Sequence, residues 1–390
     1  SMGKVAEAYN QIITDLNYVA QGALNSIEDL INFNNGLLRI REDDITLLPH
    51  SPDILSTIQI PCDWTGRETP TPVFDRYMHT LINGDKAIEQ LLLEFIGVCI
   101  SNIKGWRMKK ALFLVGDGDT GKSQLKSLVE RLLGKGNFIG IDLKEIEARF
   151  GTGAVYGTRL AGSSDMSFLS VDDLKTFKKI TGGDSLYAEF KGQQAFEFTY
   201  NGLLWFCMNR LPKFGGDDGK WVYDRIIVVR CPNVIPKDKQ DKTLLDKMYA
   251  ERDGIVYKAV KALQRVIANG YRFSEPDSVS EARDTYMSEN NTVISFYNEC
   301  MTERPQPGSI KDICTTGKVY DVYKAWCYDN NNGYAKTAKE FRDTLAGMHG
   351  STFKEMTVHT EKGNCYRNLT LTLDTKKQYH REYGYDGILD

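Results

Sequence analysis

The chain has no CxxC pair, only five histidines, and no apolar run of the roughly 18 residues that a membrane-spanning helix needs. Each absence removes a class of protein. The stretch "LLLEFIGVCI" is too short to cross a bilayer and carries Glu94, and the start shows no signal-peptide pattern. The eight cysteines, at 62, 99, 207, 231, 300, 314, 327 and 365, are scattered, several of them inside apolar runs such as "LLWFCMN". That usage excludes a disulfide framework and suits buried, reduced thiols in a cytoplasmic protein. The histidines do not cluster with them, which argues against a structural zinc site. Charge of one sign is also missing: a formal net charge of -3 gives no bulk attraction for nucleic acid, so any DNA contact has to come from a local basic surface. There is no internal repeat and no low-complexity tract.

What is present is an ordinary globular composition, 41% hydrophobic and 26% charged, over 390 residues. A chain of that length exceeds one ordinary core, so two or three domains are expected. Residues 1–105 read as a mostly helical lead-in. Apolar residues are spaced helically from Lys4 to about Asn32, "NNGLLRIREDDITLLPHSPD" reads as a hairpin, and helices follow in "FDRYMHTLI" and "DKAIEQLLLEFIGVCISNI". From 106 to 270 the pattern turns to short apolar runs, "KALFLVG", "GTRLAG", "LLWFCMN" and "RIIVVR", alternating with helical stretches. That alternation predicts an α/β domain with a central parallel sheet, followed by further helices. A linker is expected over 271–295, where "NGYRFSEPDSVSEARD" breaks the helical pattern. Residues 296–390 combine helical "VYDVYKAWCYDN" and "TAKEFRDTL" with the alternating "NCYRNLTLTLD", which fits a small winged-helix module.

The strand "KALFLVG" runs into "GDGDTGKS", and "KSQLKSLVERLLG" reads as the helix that follows, closed by Gly134. Gly116, Gly121, Lys122 and Ser123 supply the GxxxxGK[ST] pattern in the strand–loop–helix context it requires. Glycines let the backbone turn its N–H groups onto phosphate oxygens at a helix start. Lys122 is placed to neutralise the β- and γ-phosphates, and the Ser123 hydroxyl to ligate Mg²⁺. The expected nucleotide-binding loop is therefore Gly116, Asp117, Gly118, Asp119, Thr120, Gly121, Lys122, Ser123 and Gln124, with ATP and Mg²⁺ as cofactors.

Later residues offer companions for that loop. "GTRLAGSSDMS" brings a strand to Asp165, which can hold metal-bound water or polarise the attacking water; a turn or cap Asp is the alternative. "SLYAEF" and "AFEFTY" read as a hairpin joined through "KGQQ", with Lys191 near its tip and Tyr187 and Phe190 placed to brace it or to stack on bases. "LLWFCMN" ends in Asn209, an amide able to orient a water at the γ-phosphate, and "GGDDGKWVYDR" presents Arg225, for which a surface ion pair with Asp224 or Asp217 is the bland alternative.

Taken together, "INFNNGLLRI…LLPHSPD…IPCDW…PVFDRYM", "KKITGGD…LLWFCMNRLP…WVYDR" and "VYDVYKAWCYDNNNGYAKTAKEFRDTL" resemble superfamily 3 helicases of the AAA+ class. The resemblance is to their phage/plasmid primase-helicase branch, which includes replication initiators of phage-like elements, such as staphylococcal islands and cassettes, and the poxvirus uncoating-type NTPase. It implies an AAA+ core, with Lys122 and Ser123 as the Walker A lysine and hydroxyl and Asp165 as the Walker B acid and metal residue. Asn209 falls on sensor 1 and Arg225 on an arginine finger acting across a protomer boundary. Lys191 falls at the tip of a pore hairpin on DNA, and Lys178 where some relatives place another basic residue reaching a neighbour's nucleotide. One departure stands out: the Walker B strand reads "LAGSSD", with a single acid in place of two.

The function so implied is an ATP-dependent, homohexameric DNA helicase of 3′→5′ polarity in the cytosol of a bacterial host. It would act on single-stranded and forked DNA and on an origin in replication initiation of a phage, plasmid or other mobile element, with a primase as a further partner and no membrane role. The alternative is an NTP-switched origin-binding or scaffold protein with weak hydrolysis, which the thin Walker B strand favours. A small-molecule kinase on the same loop is a third reading; the Asn209–Arg225 pair and the lack of an arginine-rich lid weigh against it. Lys336, Lys339 and Arg342 make the segment around "TAKEFRDTL" the candidate recognition helix, with a solvated face as the alternative.

Overall fold

The structure, a computed structural model, describes residues 3–7, 23–167, 170–171, 174–190, 192, 194–214, 220–305, 313–330, 335–358 and 361–383. Most of the helical lead-in expected before residue 23, Lys191 (expected near the tip of a pore hairpin), Asp217 and the end of the C-terminal tail lie outside these residues. The fold is mixed α/β. Its main sheet joins the strands β4 (Ala111–Val115), β5 (Phe138–Gly140), β6 (Leu160–Gly162), β10 (Leu203–Met208) and β12 (Ile226–Arg230) in the order β12-β4-β10-β6-β5. β10 runs parallel to both β4 and β6, and β5 runs parallel to β6. All of β4 and β10 is buried, which is why these strands read as unbroken apolar runs rather than alternating ones.

The chain divides into two compact units, one of residues 1–166, 176–209 and 230–276, the other of 167–175, 210–229 and 277–390. The first opens on an antiparallel sheet of β1 (Leu30–Phe33), β2 (Gly36–Ile40) and β3 (Ile45–Leu48). The β2–β3 hairpin stands where the sequence placed one. β1, however, occupies positions read as the end of a helical stretch. Leu30, Ile31 and Phe33 are buried, and a two-residue turn at Asn34–Asn35 returns the chain along β2, so cross-strand pairing overrides the helical spacing. The helices Pro72–Leu81 and Lys86–Ile100 form as expected.

Within the first unit, Arg159, just ahead of β6, ties the helix Lys86–Ile100 to the main sheet. Its buried guanidinium donates to the carbonyls of Cys99 (3.1 Å), Ile103 (2.7 Å), Asn201 (2.5 Å) and Val98. The last turn of helix Lys86–Ile100, where the Val98 carbonyl also accepts from Ser101, is thereby held against the start of β6 and the approach to β10. Burial lowers this group's proton affinity from the ordinary guanidinium value, and the negative end of the helix dipole opposes that loss.

The expected hairpin is β8 (Ser185–Ala188) paired with β9 (Phe196–Thr199). Phe190 does brace it, packing on Phe196 at 5.8 Å and on Tyr156 at 6.4 Å, whereas Tyr187 is 63% exposed.

In the second unit, β7 (Ser170–Val171) pairs with β11 (Lys213–Phe214). Two helices, Asp277–Asn290 and Thr292–Cys300, fill much of the segment read as a linker, so the break in the helical pattern ends at Asp277. Beyond them come β13 (Met301–Glu303), helices Thr316–Asp329 and Ala338–His349, and the antiparallel pair β14 (Phe353–Val358) and β15 (Glu361–Tyr366). β16 (Leu369–Leu371) returns along β13. Phe296, Tyr323, Trp326, Phe341 and Tyr366 pack in one core, and a Thr337–Glu340 capping box starts the helix Ala338–His349.

Replacing Arg159 with leucine removes the donor from the buried carbonyls of Cys99 and Ile103, while those of Val98 and Asn201 keep the N–H groups of Ser101 and Gly105. Arg159→Leu is expected to lower the unfolding free energy by roughly 3 kcal/mol in urea titration; a loss below about 1 kcal/mol would show that those carbonyls find other donors.

Candidate functional site

β4 ends at Val115, and the helix Lys122–Leu133 begins six residues beyond Gly116. The two motif glycines have different physical roles. A side chain at Gly116 would place its Cβ 2.3 Å from the Cys231 carbonyl oxygen, so this glycine permits close backbone approach. Gly121 caps the helix with φ 83°, a left-handed conformation that only glycine adopts cheaply. Between them Asp119 takes φ 62°, and a Cβ at Gly118 would meet nothing within 4 Å.

Lys122 is only 6% exposed. Its ammonium donates to the Asp117 carbonyl oxygen and to Asn209 Oδ1, each at 2.9 Å, and no carboxylate among the described residues pairs with it. Two neutral oxygens are poor compensation for a buried positive charge. The Thr120 hydroxyl, in the same loop, is buried without a hydrogen-bond partner. A buried cation lacking a counter-ion, an orphaned donor and the free amides of a helix start fit an anion such as a nucleotide phosphate.

The sheet gathers three of the expected residues along one edge. Met208 pairs with Val115 on one side and bridges Met166 on the other. Asn209 directly follows Met208 and Asp165 directly precedes Met166, so the loop, the amide and the acid all lie at the carboxyl ends of neighbouring parallel strands. In open α/β sheets that edge is where ligands bind. The unusual "LAGSSD" has a backbone reason. A Cβ at Gly162, where φ is 142°, would fall 1.9 Å from the Trp205 carbonyl oxygen. Beyond it the pairing slips by one residue, from Leu204↔Ala161 to Met208↔Met166. Cys207 N donates to the Ser163 carbonyl and Met166 N to that of Cys207, both at 2.8 Å, so the strand continues past the kink and delivers Asp165 to solvent. Ser123, half-buried, is the second residue of the helix. Among the described residues no group of three or more His, Cys, Asp or Glu side chains could hold a metal on its own. A Mg²⁺ ion would therefore be held by the Ser123 hydroxyl, Asp165, water and phosphate oxygens.

Other expected residues lie elsewhere. Lys178 is exposed on the helix Lys175–Gly182, which begins where the Glu147 carboxylate accepts from the backbone N–H of Thr176 (2.8 Å) and of Phe177 (2.7 Å). Arg225 belongs to the second unit, at the end of the short helix Lys220–Tyr223. Tyr223 packs there with Phe214 and Tyr286, its ring 5.3 Å from that of Tyr286, which fixes the backbone just ahead of Arg225. The guanidinium lies 5.8 Å from the centre of the Trp221 ring.

One contact had no sequence signal. The Tyr77 hydroxyl donates to the Gly121 carbonyl at 2.9 Å, from a segment that the sequence marks only as a helix of the lead-in. A separate cavity of 420 Å³ borders Tyr156, Arg159, Glu197 and Asn201, at the opposite ends of β6 and β10 from the phosphate loop.

If Lys122 awaits an anion, a Lys122→Met variant should be about as stable as the wild type, because Asn209 is exposed and finds water. Pyrophosphate at about 100 times its dissociation constant should stabilise the wild type by about 2.7 kcal/mol and leave Lys122→Met unmoved. Equal shifts in the two proteins, read by thermal melting, would place the anion elsewhere.

Comparison with known protein families finds two matches, each covering less than half of the chain. Residues 114–225 match a family of unknown function (DUF5906), and residues 288–372 match a family described as Poxvirus D5 protein-like. No curated protein matches the chain. Among solved structures it is similar to the A-form apo structure of the NrS-1 C-terminal region, at 11% identity and a TM-score of 0.44, over 87% of this chain and 95% of that one. It is also similar to the apo structure of the NrS-1 C-terminal region (305-718), at 13% identity and a TM-score of 0.42, over 78% of this chain and 77% of that one.

Proposed function

We propose that this protein is a nucleotide-hydrolysing replication protein of the primase-helicase type, and specifically an ATP-dependent DNA helicase that works as a hexamer. The observation that carries the reading is the buried Lys122 ammonium, held by two neutral oxygens at the ligand-binding edge of a parallel sheet. The D5-like match over residues 288–372 supports the replication assignment.

Bound Mg²⁺-ATP supplies the phosphoanhydride to be broken and the charge that the loop is shaped to receive. Lys122 leaves Asn209 for the phosphate, and Ser123 and Asp165 hold the metal and its water. Asn209, once released, has its amide free to orient the attacking water. Arg225 of a neighbouring protomer neutralises charge on the transferred group, an effect of roughly 10³–10⁵ in rate for such fingers. Lys191, which the sequence places near the hairpin tip, engages one DNA strand by phosphate charge, with the exposed Tyr187 ring four residues before it available for base stacking. Lys178 is a second basic contact. The module beyond residue 296 is read as a winged helix that docks origin DNA through the helix Ala338–His349, where Lys339 and Arg342 are exposed.

A second reading, an NTP-switched origin-binding or scaffold protein, is favoured by one observation: Asp165 is the single acid at the end of β6, and it is exposed. ATPase assays with and without single-stranded DNA separate the two. Strong stimulation with unwinding of forked DNA is expected of the helicase, a slow flat rate of the switch. For the hexamer, Arg225→Ala and Lys122→Ala should each abolish turnover, and mixing the two proteins should restore part of it at interfaces holding both intact groups. An Arg225→Ala protein that keeps its full rate would overturn the shared site.

A further inference from the structure

We propose that Tyr77 is a positioning residue for the phosphate loop, setting the orientation of the Gly121–Lys122 peptide and thereby the direction of the first phosphate-facing amide. The inference rests on the nucleotide-site reading of Lys122 and extends it to a helix forty residues upstream of the motif.

The geometry begins with the peptide plane. In a trans peptide the carbonyl oxygen of one residue and the N–H of the next point in opposite directions, and rotation about the bond between them is barred. Whatever holds the Gly121 oxygen therefore aims the Lys122 N–H. That oxygen is held twice, by the Tyr77 hydroxyl at 2.9 Å and by the Gln124 backbone N–H at 2.9 Å. The Lys122 amide, first in its helix, has no helical carbonyl to donate to and is directed away from Tyr77. The Tyr77 ring also lies against the glycine itself, 3.4 Å from where a Cβ would stand, so it supports a left-handed residue from the side. Burial holds the Tyr77 hydroxyl well above the ordinary tyrosine range, and it remains a protonated donor at any working pH.

A positioning group has to be fixed itself, and Tyr77 is. Its helix, Pro72–Leu81, buries Phe74, Tyr77, Met78 and Leu81. Its first amides, on Val73 and Phe74, donate to the Glu251 carboxylate at 2.9–3.1 Å. Lys258 reaches Thr71 Oγ1 at 2.7 Å and Asp75 Oδ1 at 2.5 Å, and Asn233 Nδ2 donates to the Thr80 carbonyl at 2.8 Å. Both ends of the helix are thus hung on residues that follow the main sheet, and Tyr77 carries that anchorage to the loop.

Tyr77→Phe keeps the ring and removes the hydroxyl, while Gly121 keeps its bond from Gln124. The measurements are the dissociation constants of pyrophosphate and of a non-hydrolysable ATP analogue by calorimetry, the melting temperature, and KM and kcat for ATP. The expected result is binding weakened roughly 3–10-fold for both ligands. KM should rise by a similar factor with kcat nearly unchanged, and the melting temperature should move by no more than about 2 °C. A merely structural tyrosine would lower the melting temperature and leave the affinity of the folded protein as it was; that result, or unchanged affinity at unchanged stability, overturns the proposal. Wild-type protein that binds neither ligand overturns it together with the nucleotide reading beneath it, and so distinguishes the two failures.

Discussion

A lysine ammonium taken out of water needs a negative partner, and among the described residues Lys122 has only the neutral oxygens of Asp117 and Asn209. Much of the local architecture can be understood as the means of keeping that charge buried and within reach of an incoming anion. Gly116 lets the loop leave β4 close against the Cys231 carbonyl. Gly121 turns it into the helix, and the Cys207 thiol packs against the Lys122 carbonyl from the central strand. Under the proposed nucleotide site, the bond to Asn209 stands in for one to a phosphate oxygen, and it is weaker than a bond between the ammonium and an anion.

The central position of β10 makes this possible. One strand touches the phosphate-loop strand on one side and the acid-bearing strand on the other, so Asn209 is placed by two registers rather than one. The same constraint explains the sequence of β6. The Trp205 backbone runs close there, glycine is required at 162, and the slip that follows brings Met166 rather than Asp165 opposite Met208. What looks from sequence like an eroded acidic motif is a strand kinked at Gly162 against the backbone of its neighbour at Trp205.

How much of this could be read from the residues follows from which interactions are local. The strands β4, β6, β10 and β12, the helix Lys122–Leu133 with its Gly134 end, and the β8–β9 hairpin were legible because each is specified by its own periodicity and turn residues. The helix spacing misled at β1, since "LINF" is held by pairing with residues beyond a turn. The helix Asp277–Asn290 was hidden by a polar sequence whose apolar spacing is weak, and its Tyr286 is fixed by Phe214 and Tyr223, far away in the chain. At the site, Lys122 and Asn209 were both identified, but their contact spans 87 residues, and that of Tyr77 with Gly121 spans 44. Such pairs are products of topology, and no local pattern records them.

The most direct measurement is a crystal structure of the protein with Mg²⁺ and a non-hydrolysable ATP analogue. The account predicts that the Lys122 ammonium will have left Asn209 Oδ1 for a phosphate oxygen, with the loop backbone from Gly116 to Gly121 otherwise unchanged. A nucleotide bound elsewhere, with the Lys122–Asn209 hydrogen bond intact, would contradict it.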